Sequence, residues 1–192
     1  MTINDQEYIN RILQGDSNAF AILVDRYKAL VFTLALRVLK HKEEAEEVSQ
    51  DAFIKAYKNL NKFKGDSKFS TWIYKITYHA CLDRIKKNKK DDVLRAIDEY
   101  TEHKVISVDG ILDGIEKKER NVVIKECIFK LPEDEAALIT LYYFEELSLD
   151  EIGEIVGLKS NNVKVKLFRI RKRLGEILKN QLEPDLIEQY GK

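Results

Sequence analysis

The sequence contains few residues that interrupt helices or cross-link a chain. Its 192 residues include two prolines, two cysteines and eight glycines, which excludes a collagen-like or Pro-rich protein and a disulfide scaffold. Cys81 and Cys127 are far apart, and neither belongs to a Cys-x-x-Cys pair. A zinc site needs about four ligands at short spacings, and only three histidines accompany the cysteines. We therefore expect neither a metal nor a cofactor, and we assign both cysteines to helices as small apolar residues.

Long apolar runs are also missing. No stretch approaches the roughly 20 apolar residues that span a bilayer. The opening MTINDQEYIN is polar and lacks the basic and then apolar order of a signal peptide. We therefore expect a cytoplasmic protein that does not insert into membranes. Hydrophobic residues make up 44% of the chain and charged residues 34%, which favours a helix-rich globular protein.

The formal net charge is zero, but the charges are segregated along the chain. Residues 43–51 hold five acids and no base, and residues 84–90 hold five bases and no acid. Residues 91–116 hold eight acids against two bases, whereas residues 159–173 hold seven bases and no acid. Separate acidic and basic surfaces indicate several partners of different charge.

The spacing of apolar residues predicts an all-α protein, because strand and hairpin patterns are scarce. The predicted helices are 4–14, 17–40, 43–60, 70–88, 110–130, 133–145, 149–156 and 161–180. We expect Ser17 and Ser70 to cap helices, and Pro132 to lie in a first helical turn. The predicted organisation is two helical domains joined by a flexible acidic linker and followed by a tail. In chain order, the first domain, the linker, the second domain and the tail are residues 1–90, 91–116, 117–180 and 181–192.

The segment LSLDEIGEIVGLKSNNVKVKLFRIRKRL (147–174) predicts a helix-turn-helix. Ser148 and Glu151 have the S-x-x-E spacing of a capping box, which begins a short helix. Gly157 can adopt the left-handed conformation that ends this helix, and Ser160 can cap the next one. A short helix, a Gly turn and a longer basic helix, in this order, are typical of DNA-binding proteins.

The second helix of this motif has two contrasting faces at about 100° per residue. The face expected to pack on the core comprises Val163, Leu167, Ile170 and Leu174. The opposite face comprises Val165, Phe168 and Lys172, flanked by Lys164 and Arg169. Apolar side chains among bases suit the major groove, where thymine methyl groups lie near phosphates. A merely solvated basic face and a membrane-surface helix are the alternatives.

An acidic face is predicted on the helix that begins with EEAEEVSQD. Its members are Glu43, Glu46, Glu47, Gln50 and Ile54, with Asp51 at the edge. Such a face repels DNA and suits a basic or polar protein partner. Taken alone, an acidic face of this kind is more often simply solvated than bound to a partner.

The segment NKFKGDSKFSTWIYKITYHACLDRIKKNKK (61–90) combines bases with aromatic residues. Its Gly-Asp-Ser sequence predicts a loop between Phe63 and Phe69. On the following helix, the expected core stripe is Tyr74, Tyr78, Cys81, Leu82 and Ile85, and the other side carries Trp72, Lys75, Ile76, His79, Asp83, Lys86 and Lys87. Bases beside aromatic rings suit unpaired DNA, because rings stack on bases and lysines neutralise phosphates. The alternative is that the aromatic residues simply belong to the core.

Taken in order, these segments resemble the extracytoplasmic-function (ECF) sigma factors of bacterial RNA polymerase over nearly the whole chain. The similarity includes GDSNAFAILVDRYKALVFTLALRVL, EEAEEVSQDAFIKAYKNLNKF, FKGDSKFSTWIYKITYHACLDRIKK and LPEDEAALITLYYFEELSLDEIGEIVGLKSNNVKVKLFRIRKRL. The resemblance implies a non-enzymatic subunit that binds core polymerase and directs promoter-specific initiation. It also implies melting at the minus-ten element and recognition of the minus-thirty-five element. The implied partners are the clamp helices of the largest polymerase subunit, the flap of the second-largest, promoter DNA and a possible anti-sigma factor.

The resemblance further implies which residues make these contacts. The implied polymerase-docking residues are Glu43, Glu46, Glu47, Gln50, Asp51 and Ile54. The implied minus-ten residues are Phe63, Lys64, Gly65, Asp66, Ser67, Lys68, Phe69, Trp72, Lys75, His79, Asp83 and Lys86. The implied minus-thirty-five residues are Asn162, Lys164, Val165, Lys166, Phe168, Arg169 and Lys172. The family often has a small polar residue at the position of Val165, which implies an altered minus-thirty-five preference here.

The main alternative is a helix-turn-helix regulator that binds DNA as a dimer and is not a polymerase subunit. That interpretation leaves the acidic face and the Phe63–Phe69 loop without a role. A helical adaptor protein without DNA contacts is a third interpretation. An enzyme is the least supported, since the sequence shows no nucleophile–base pair, Gly-rich phosphate loop or metal cluster.

Overall fold

The structure, a computed structural model, describes residues 4–91 and 124–181. Its helices are α1 (Asp5–Leu13), α2 (Ala19–Leu39), α3 (Lys42–Lys58), α4 (Phe69–Asp91), α5 (124–129), α6 (Glu133–Tyr143), α7 (Leu149–Val156) and α8 (Ser160–Gln181), with a 3-10 turn at Leu60–Lys62. The described part contains no strand, and the all-α prediction is confirmed. The predicted linker after Asp91, the tail after Gln181 and most of the predicted helix 110–130 lie outside the described residues.

Helices α1 to α4 form an N-terminal domain around one face of α2. The buried residues of this face include Leu23, Tyr27, Val31, Leu34 and Val38. Their spacing of three or four residues is that of a single helical face. The Tyr27 hydroxyl donates to the Asp5 carboxylate at 2.5 Å, which fixes α1 against α2.

Two predicted helix starts in this domain are wrong. Helix α2 begins after Asn18 rather than Ser17, and no side chain caps it. A backbone turn takes the place of the cap, because the Phe20 N–H donates to the Ser17 carbonyl at 3.1 Å. Helix α4 begins at Phe69, which puts Ser70 inside its first turn.

Two further starts differ by one position. Pro132 lies just before α6 rather than inside its first turn, and its carbonyl accepts the Ala136 N–H at 2.9 Å. Ser160 is the first residue of α8 rather than its cap. Its hydroxyl donates to the Asp150 carboxylate of α7, so the serine joins two helices instead of beginning one.

Helices α7 and α8 form the predicted helix-turn-helix. The Ser148 hydroxyl accepts the Glu151 N–H at 3.2 Å, and the Glu151 carboxylate accepts the Ser148 N–H at 2.9 Å. Both halves of the capping box are therefore present. Gly157 ends α7 with φ 74°, in the left-handed region that favours glycine. These features confirm the motif.

The turn of this motif also depends on Gly153, which sequence reasoning did not single out. A Cβ added at Gly153 would lie 2.5 Å from the Leu158 carbonyl oxygen. The Gly153 carbonyl accepts the Leu158 N–H at 2.9 Å. The chain after α7 thus lies directly against that helix, which only a residue without a side chain allows.

Helix α6 is the central element of the described fold. All residues from Ala136 to Leu141 are buried, and a helix that is buried all round needs neighbours on every side. Helix α6 packs against α7 and α8 and also against α2, while α4 packs against α7. One hydrophobic cluster consequently contains residues of both domains, among them Leu34, Tyr78, Leu138 and Ile152.

Gly153→Ala is expected to destabilise the C-terminal domain, because the added methyl group overlaps the Leu158 carbonyl oxygen. We expect a loss of about 1–3 kcal/mol in the free energy of unfolding, as at other overpacked sites, measured by urea denaturation. Glu154→Ala, an exposed change on the same helix, is the control and should stay within about 0.5 kcal/mol of the original protein. Equal stability of the two variants would contradict the close approach of the Leu158 carbonyl to Gly153.

Candidate nucleic-acid and protein interfaces

The outer face of α8 presents apolar side chains to solvent. Val165 is 51% exposed and Phe168 is 61% exposed, and Asn162, Lys164 and Arg169 on the same helix are exposed as well. The buried residues of the inner face are Val163, Leu167, Ile170 and Leu174. The predicted division into two faces is therefore confirmed. Burying a phenylalanine is worth about 1.5–3 kcal/mol, so this face is better suited to binding than to solvation.

Two bases of α8 contact α6 instead. Lys166 Nζ lies 3.2 Å from Asp134 Oδ2, and Arg173 Nη1 lies 2.6 Å from Glu135 Oε1. Burial raises the pKa of Glu135, and the neighbouring Arg173 guanidinium opposes that shift. Lys166, which we expected at the DNA, is half-buried and braces α8 against α6. Lys172 is half-buried as well.

The loop between Phe63 and Phe69 rests on an aromatic cluster. Phe69 is buried, and its ring centroid lies 5.9 Å from that of Phe63 and 5.7 Å from that of Trp72, both half-buried. Gly65 adopts φ 78° at the tip. The exposed residues of the loop are Lys64, Gly65, Asp66 and Lys68, and Ser67 is half-buried. The polar tip is therefore accessible, whereas Phe69 belongs to the core that supports it.

Helix α4 continues directly from this loop and presents polar side chains on its outer side. His79, Asp83 and Lys86 are exposed, and Lys75 is half-buried. On the inner side, Tyr74, Tyr78 and Cys81 are buried, while Leu82 and Ile85 are half-buried. Because α4 begins at Phe69, the loop and this outer side form one continuous surface.

The acidic face of α3 is open to solvent. All its predicted members are exposed, namely Glu43, Glu46, Glu47, Gln50, Asp51 and Ile54. Glu47 Oε2 lies 2.9 Å from Arg84 Nη2 of α4. A groove of about 510 Å³ between α3 and α4 borders this face, and its lining includes Asp51, Ile54, Lys55, Asp83, Arg84 and Lys87. Acids, bases and one exposed isoleucine thus meet on a surface that suits a protein partner.

An open cavity of about 630 Å³ separates the loop from α7. The loop contributes Phe63 and Lys68 to its lining, and α7 contributes Asp150, Glu151 and Glu154. Lys68 Nζ lies 2.9 Å from Glu151 Oε1. The hydrogen bond from the Ser148 N–H and the Lys68 ammonium group lower the pKa of Glu151. Acids of the C-terminal domain therefore lie beside the loop that we expect to bind DNA.

Several contacts of these surfaces were not predicted from the sequence. Arg37 is only 5% exposed, and its one sequence signal is that it stands alone in the apolar run ALVFTLALRVL. Asp134 and Glu135 lie in the segment LPEDEAA, which shows that acids begin α6 but gives no sign that they pair with α8.

No metal centre or membrane span is found in the part of the chain that the structure describes. Within residues 4–91 and 124–181, no three His, Cys, Asp or Glu side chains are grouped to hold an ion. No helix in those ranges is both long and apolar enough to cross a bilayer. Cys81 and Cys127 are both buried, and burial raises the pKa of Cys81 to about 12, so its thiol is neutral and apolar at pH 7.

Known protein families match both domains. Residues 23–91 match Sigma-70 region 2, which covers most of α2 and all of α3 and α4. Residues 121–174 match Sigma-70, region 4, which includes the helix-turn-helix. A chain that matches these two regions in this order, and whose described residues form helices without strands, is a sigma factor.

Individual relatives define the family more narrowly. The ECF RNA polymerase sigma factor SigW of Bacillus subtilis (strain 168) is 39% identical over 178 residues, which cover 90% of this chain and 95% of that protein. The ECF RNA polymerase sigma-E factor of Escherichia coli (strain K12) is 31% identical over 189 residues, which cover 95% of this chain and 96% of that protein. The chain therefore belongs to the ECF family of sigma factors.

Two solved structures share the fold at low sequence identity. CnrH, in complex with the cytosolic domain of CnrY, has a TM-score of 0.64 at 19% identity, over 93% of this chain and 99% of that one. The sigma factor RpoE from Bartonella quintana, in complex with the anti-sigma factor NepR, has a TM-score of 0.65 at 19% identity, over 85% of this chain and 98% of that one. At this identity the likeness concerns the fold alone.

Glu151 is expected to stabilise the protein at neutral pH and to lose this effect in acid. The pKa of Glu151 is lower in the folded chain than its usual 4.5, so its contribution is present above pH 4.5 and is lost as the pH falls through the folded value. We expect Glu151→Ala to reduce the free energy of unfolding by about 1 kcal/mol at pH 7, as for other lost helix caps, and by less at pH 3.5. Urea denaturation at both pH values measures this, with Glu154→Ala as the control. If Glu151→Ala lowers the free energy of unfolding equally at pH 7 and pH 3.5, the stabilisation does not come from the ionised Glu151 carboxylate.

Proposed function

We propose that this sigma factor binds bacterial core RNA polymerase and directs it to promoters with two DNA-binding surfaces. The observation that carries the proposal is the coexistence of three separate exposed surfaces on one chain: the acidic face of α3, the loop with the outer side of α4, and the outer face of α8. A dimeric regulator needs only the third. Residues 1–90 are proposed as the domain that docks on core polymerase and melts the minus-ten element. Residues 117–180 are proposed as the domain that recognises the duplex minus-thirty-five element.

The acidic face of α3 is proposed to dock on the clamp helices of the largest polymerase subunit. Glu46 and Gln50 are exposed on this face. Ile54 is 51% exposed and forms the apolar centre of the face. Opposite charge speeds encounter and sets orientation, whereas the buried apolar contact holds the complex. The groove beside Ile54 gives a partner side chain a place to insert.

The loop and the outer side of α4 are proposed to bind the minus-ten element. Lys64 is proposed to neutralise phosphates, as is Lys68 once it has left Glu151, and the half-buried rings of Phe63 and Trp72 are proposed as surfaces on which an unpaired base can stack. Holding an unstacked base offsets a few kcal/mol of unstacking, which favours the melted promoter. His79, Asp83 and Lys86 extend this surface towards the upstream edge.

The outer face of α8 is proposed to enter the major groove at the minus-thirty-five element, while the rest of the C-terminal domain contacts the flap of the second-largest subunit. Val165 and Phe168 suit thymine methyl groups, and Lys164 and Arg169 suit phosphates or guanine edges. Polymerisation itself belongs to the core enzyme, and we propose no catalytic residue in this chain. An anti-sigma partner is possible, as in the solved complex of RpoE with NepR.

Glu46→Lys is expected to weaken binding to bacterial core polymerase at least tenfold, because it reverses a charge on the docking face. Affinity is measured with immobilised core polymerase at low ionic strength. Glu7→Lys makes the same change at an exposed site on α1 and should bind as the original protein does. Failure of the original protein to bind core polymerase would refute the proposed function, and full binding by Glu46→Lys would refute the docking face.

Two neighbouring lysines of α8 are expected to differ in their effects on DNA binding. A plot of log affinity against log salt concentration falls for a protein that binds phosphates. Lys164→Ala should make this slope less steep by about one, since it removes one phosphate contact. Lys166→Ala should leave the slope unchanged and reduce stability, because Lys166 pairs with Asp134. The measurement is the affinity of polymerase carrying each variant for a promoter fragment, determined at several salt concentrations. An equal change of slope in both variants would contradict the division of roles.

A further inference from the structure

Helix α1 precedes the regions that match the sigma-factor family, yet it borders the loop that we propose for the minus-ten element. The match to Sigma-70 region 2 begins at residue 23. Gln6 and Ile9 of α1 line the same cavity of about 630 Å³ as Phe63 and Gly65 of the loop. That volume lies within the roughly 300–1,000 Å³ that is usual for sites of small ligands. A DNA base held by the loop would therefore have α1 as a neighbour.

One side chain of α1 faces the tip of the loop. A Cβ built on Gly65 would lie 3.5 Å from Gln6 Oε1, which is an ordinary contact distance. Gly65 has no such atom and adopts φ 78°, in the region that favours glycine, so the loop tip leaves this oxygen uncovered. Gln6 is also exposed to solvent. The loop tip and the Gln6 amide thus form adjoining walls of one pocket.

A second side chain orients the Gln6 amide. Gln6 Nε2 donates to Asn10 Oδ1 at 3.0 Å, one helical turn further along α1. This hydrogen bond holds the amide nitrogen at Asn10, and it leaves the amide oxygen, an acceptor with two lone pairs, beside Gly65. The pocket therefore presents an acceptor in a fixed position.

Helix α1 is itself held in place by the rest of the N-terminal domain. The Tyr27 hydroxyl donates to the Asp5 carboxylate at 2.5 Å, and Arg26 pairs with the same carboxylate. The inner residues Ile9 and Ile12 are buried in the apolar cluster of this domain. A binding group that is already in position loses little conformational freedom when its ligand arrives.

The pocket also contains a surface on which a base can stack. Phe63 lines it, and the Phe63 ring centroid lies 5.2 Å from that of Trp72. Phe63 is half-buried, so part of its ring is accessible. Stacking on an aromatic ring tolerates any sequence, because every base has a π-face. Stacking can therefore hold a base, and a polar group at the edge of the base has to identify it.

The Gln6 acceptor can distinguish bases by one substituent. Adenine and cytosine carry an exocyclic amino group, which donates a hydrogen bond, where guanine and thymine carry a carbonyl oxygen, which accepts one. An amino group facing Gln6 Oε1 gains a hydrogen bond, whereas a carbonyl oxygen in its place would face another acceptor. A polar group that is left without a partner in a pocket costs the complex free energy.

We propose that Gln6 is a specificity-determining residue of the minus-ten site, because its Oε1 accepts from the exocyclic amino group of an unpaired adenine or cytosine stacked on Phe63. Asn10 is the positioning residue that turns this oxygen towards the loop. The inference rests on the proposed function, since it concerns the base that the loop captures. It extends the site beyond the minus-ten residues implied by the sequence, which begin at Phe63.

Asp66 is another acceptor at the loop tip. It is exposed and lines the same cavity as Gln6. Its carboxylate would repel the phosphates on either side of a captured base, whereas Gln6 accepts a hydrogen bond without adding a charge. Selection of the base is therefore assigned to Gln6, and Asp66 is the rival in the test.

Base preference is measured by selection on core polymerase that carries the chain. A pool of single-stranded DNA with 12 random nucleotides between fixed flanks is bound, recovered and sequenced. With the original chain, we expect one position of the selected motif to favour adenine or cytosine over guanine and thymine. Gln6→Leu removes the acceptor at similar size, and it should reduce this preference about three- to tenfold, as expected for one hydrogen bond, without changing the other positions.

Variants elsewhere on α1 serve as controls for this change. Gln14→Leu makes the same substitution at an exposed site at the other end of the helix and should keep the original preference. Asn10→Asp retains an acceptor for Gln6 Nε2 and should keep the preference as well, whereas Asn10→Leu removes that acceptor and should weaken it. Gln6 and Asn10 are both exposed, so circular dichroism should show the same helix content and thermal midpoint for these variants.

The outcomes separate this inference from the proposed function. If the original chain selects a motif that Gln6→Leu leaves unchanged, or a motif in which no position favours adenine or cytosine, the inference is wrong and the proposed function stands. Loss of the preference in Asp66→Asn but not in Gln6→Leu would also overturn it, because the loop alone would then select the base. Polymerase that does not retain the original chain, or selects no motif with it, would refute the proposed function and this inference with it.

Discussion

The described structure depends on the burial of α6 on all its sides. A helix with the apolar run AALITL needs cover from every direction, and its own domain supplies α7 and α8 on one part of its surface. Helix α2 of the N-terminal domain covers another part. Thr140 in the middle of α6 is fully buried, and Arg37 satisfies its hydroxyl. The packing of α2 against α6 and of α4 against α7 joins the two domains into a unit and sets the distance between their binding surfaces.

The zero net charge results from two different uses of charge. Some acids and bases pair within the chain, as Asp134 does with Lys166 and Glu151 does with Lys68. Others lie on separate surfaces of opposite sign: the acidic face of α3 is exposed, and so are the bases around Val165 on α8. Internal pairs fix helices in place, whereas the unlike surfaces suit the two kinds of partner that we propose, a protein and DNA.

Local sequence patterns predicted the fold and the faces of its helices but not the contacts between them. Ser148, Glu151 and Gly157 specify the helix-turn-helix because caps and turns are set by neighbouring residues. The faces of α8 followed from the helical period alone. Ser17 failed as a cap because a backbone turn satisfied the same N–H groups. The partners of Arg37 and Lys166 could not be predicted, since they lie 103 and 32 residues away in the chain, and no periodicity encodes such pairs.

Run-off transcription by core polymerase on a library of randomised promoters tests the central claim most directly. The account predicts transcripts that require this chain, and it predicts that active templates share two upstream elements about 25 base pairs apart, one read by the loop and one by α8. Polymerase that binds the chain but initiates no chain-dependent transcripts would contradict the account. So would active templates that share a single element, because α8 or the loop would then have no part in promoter selection.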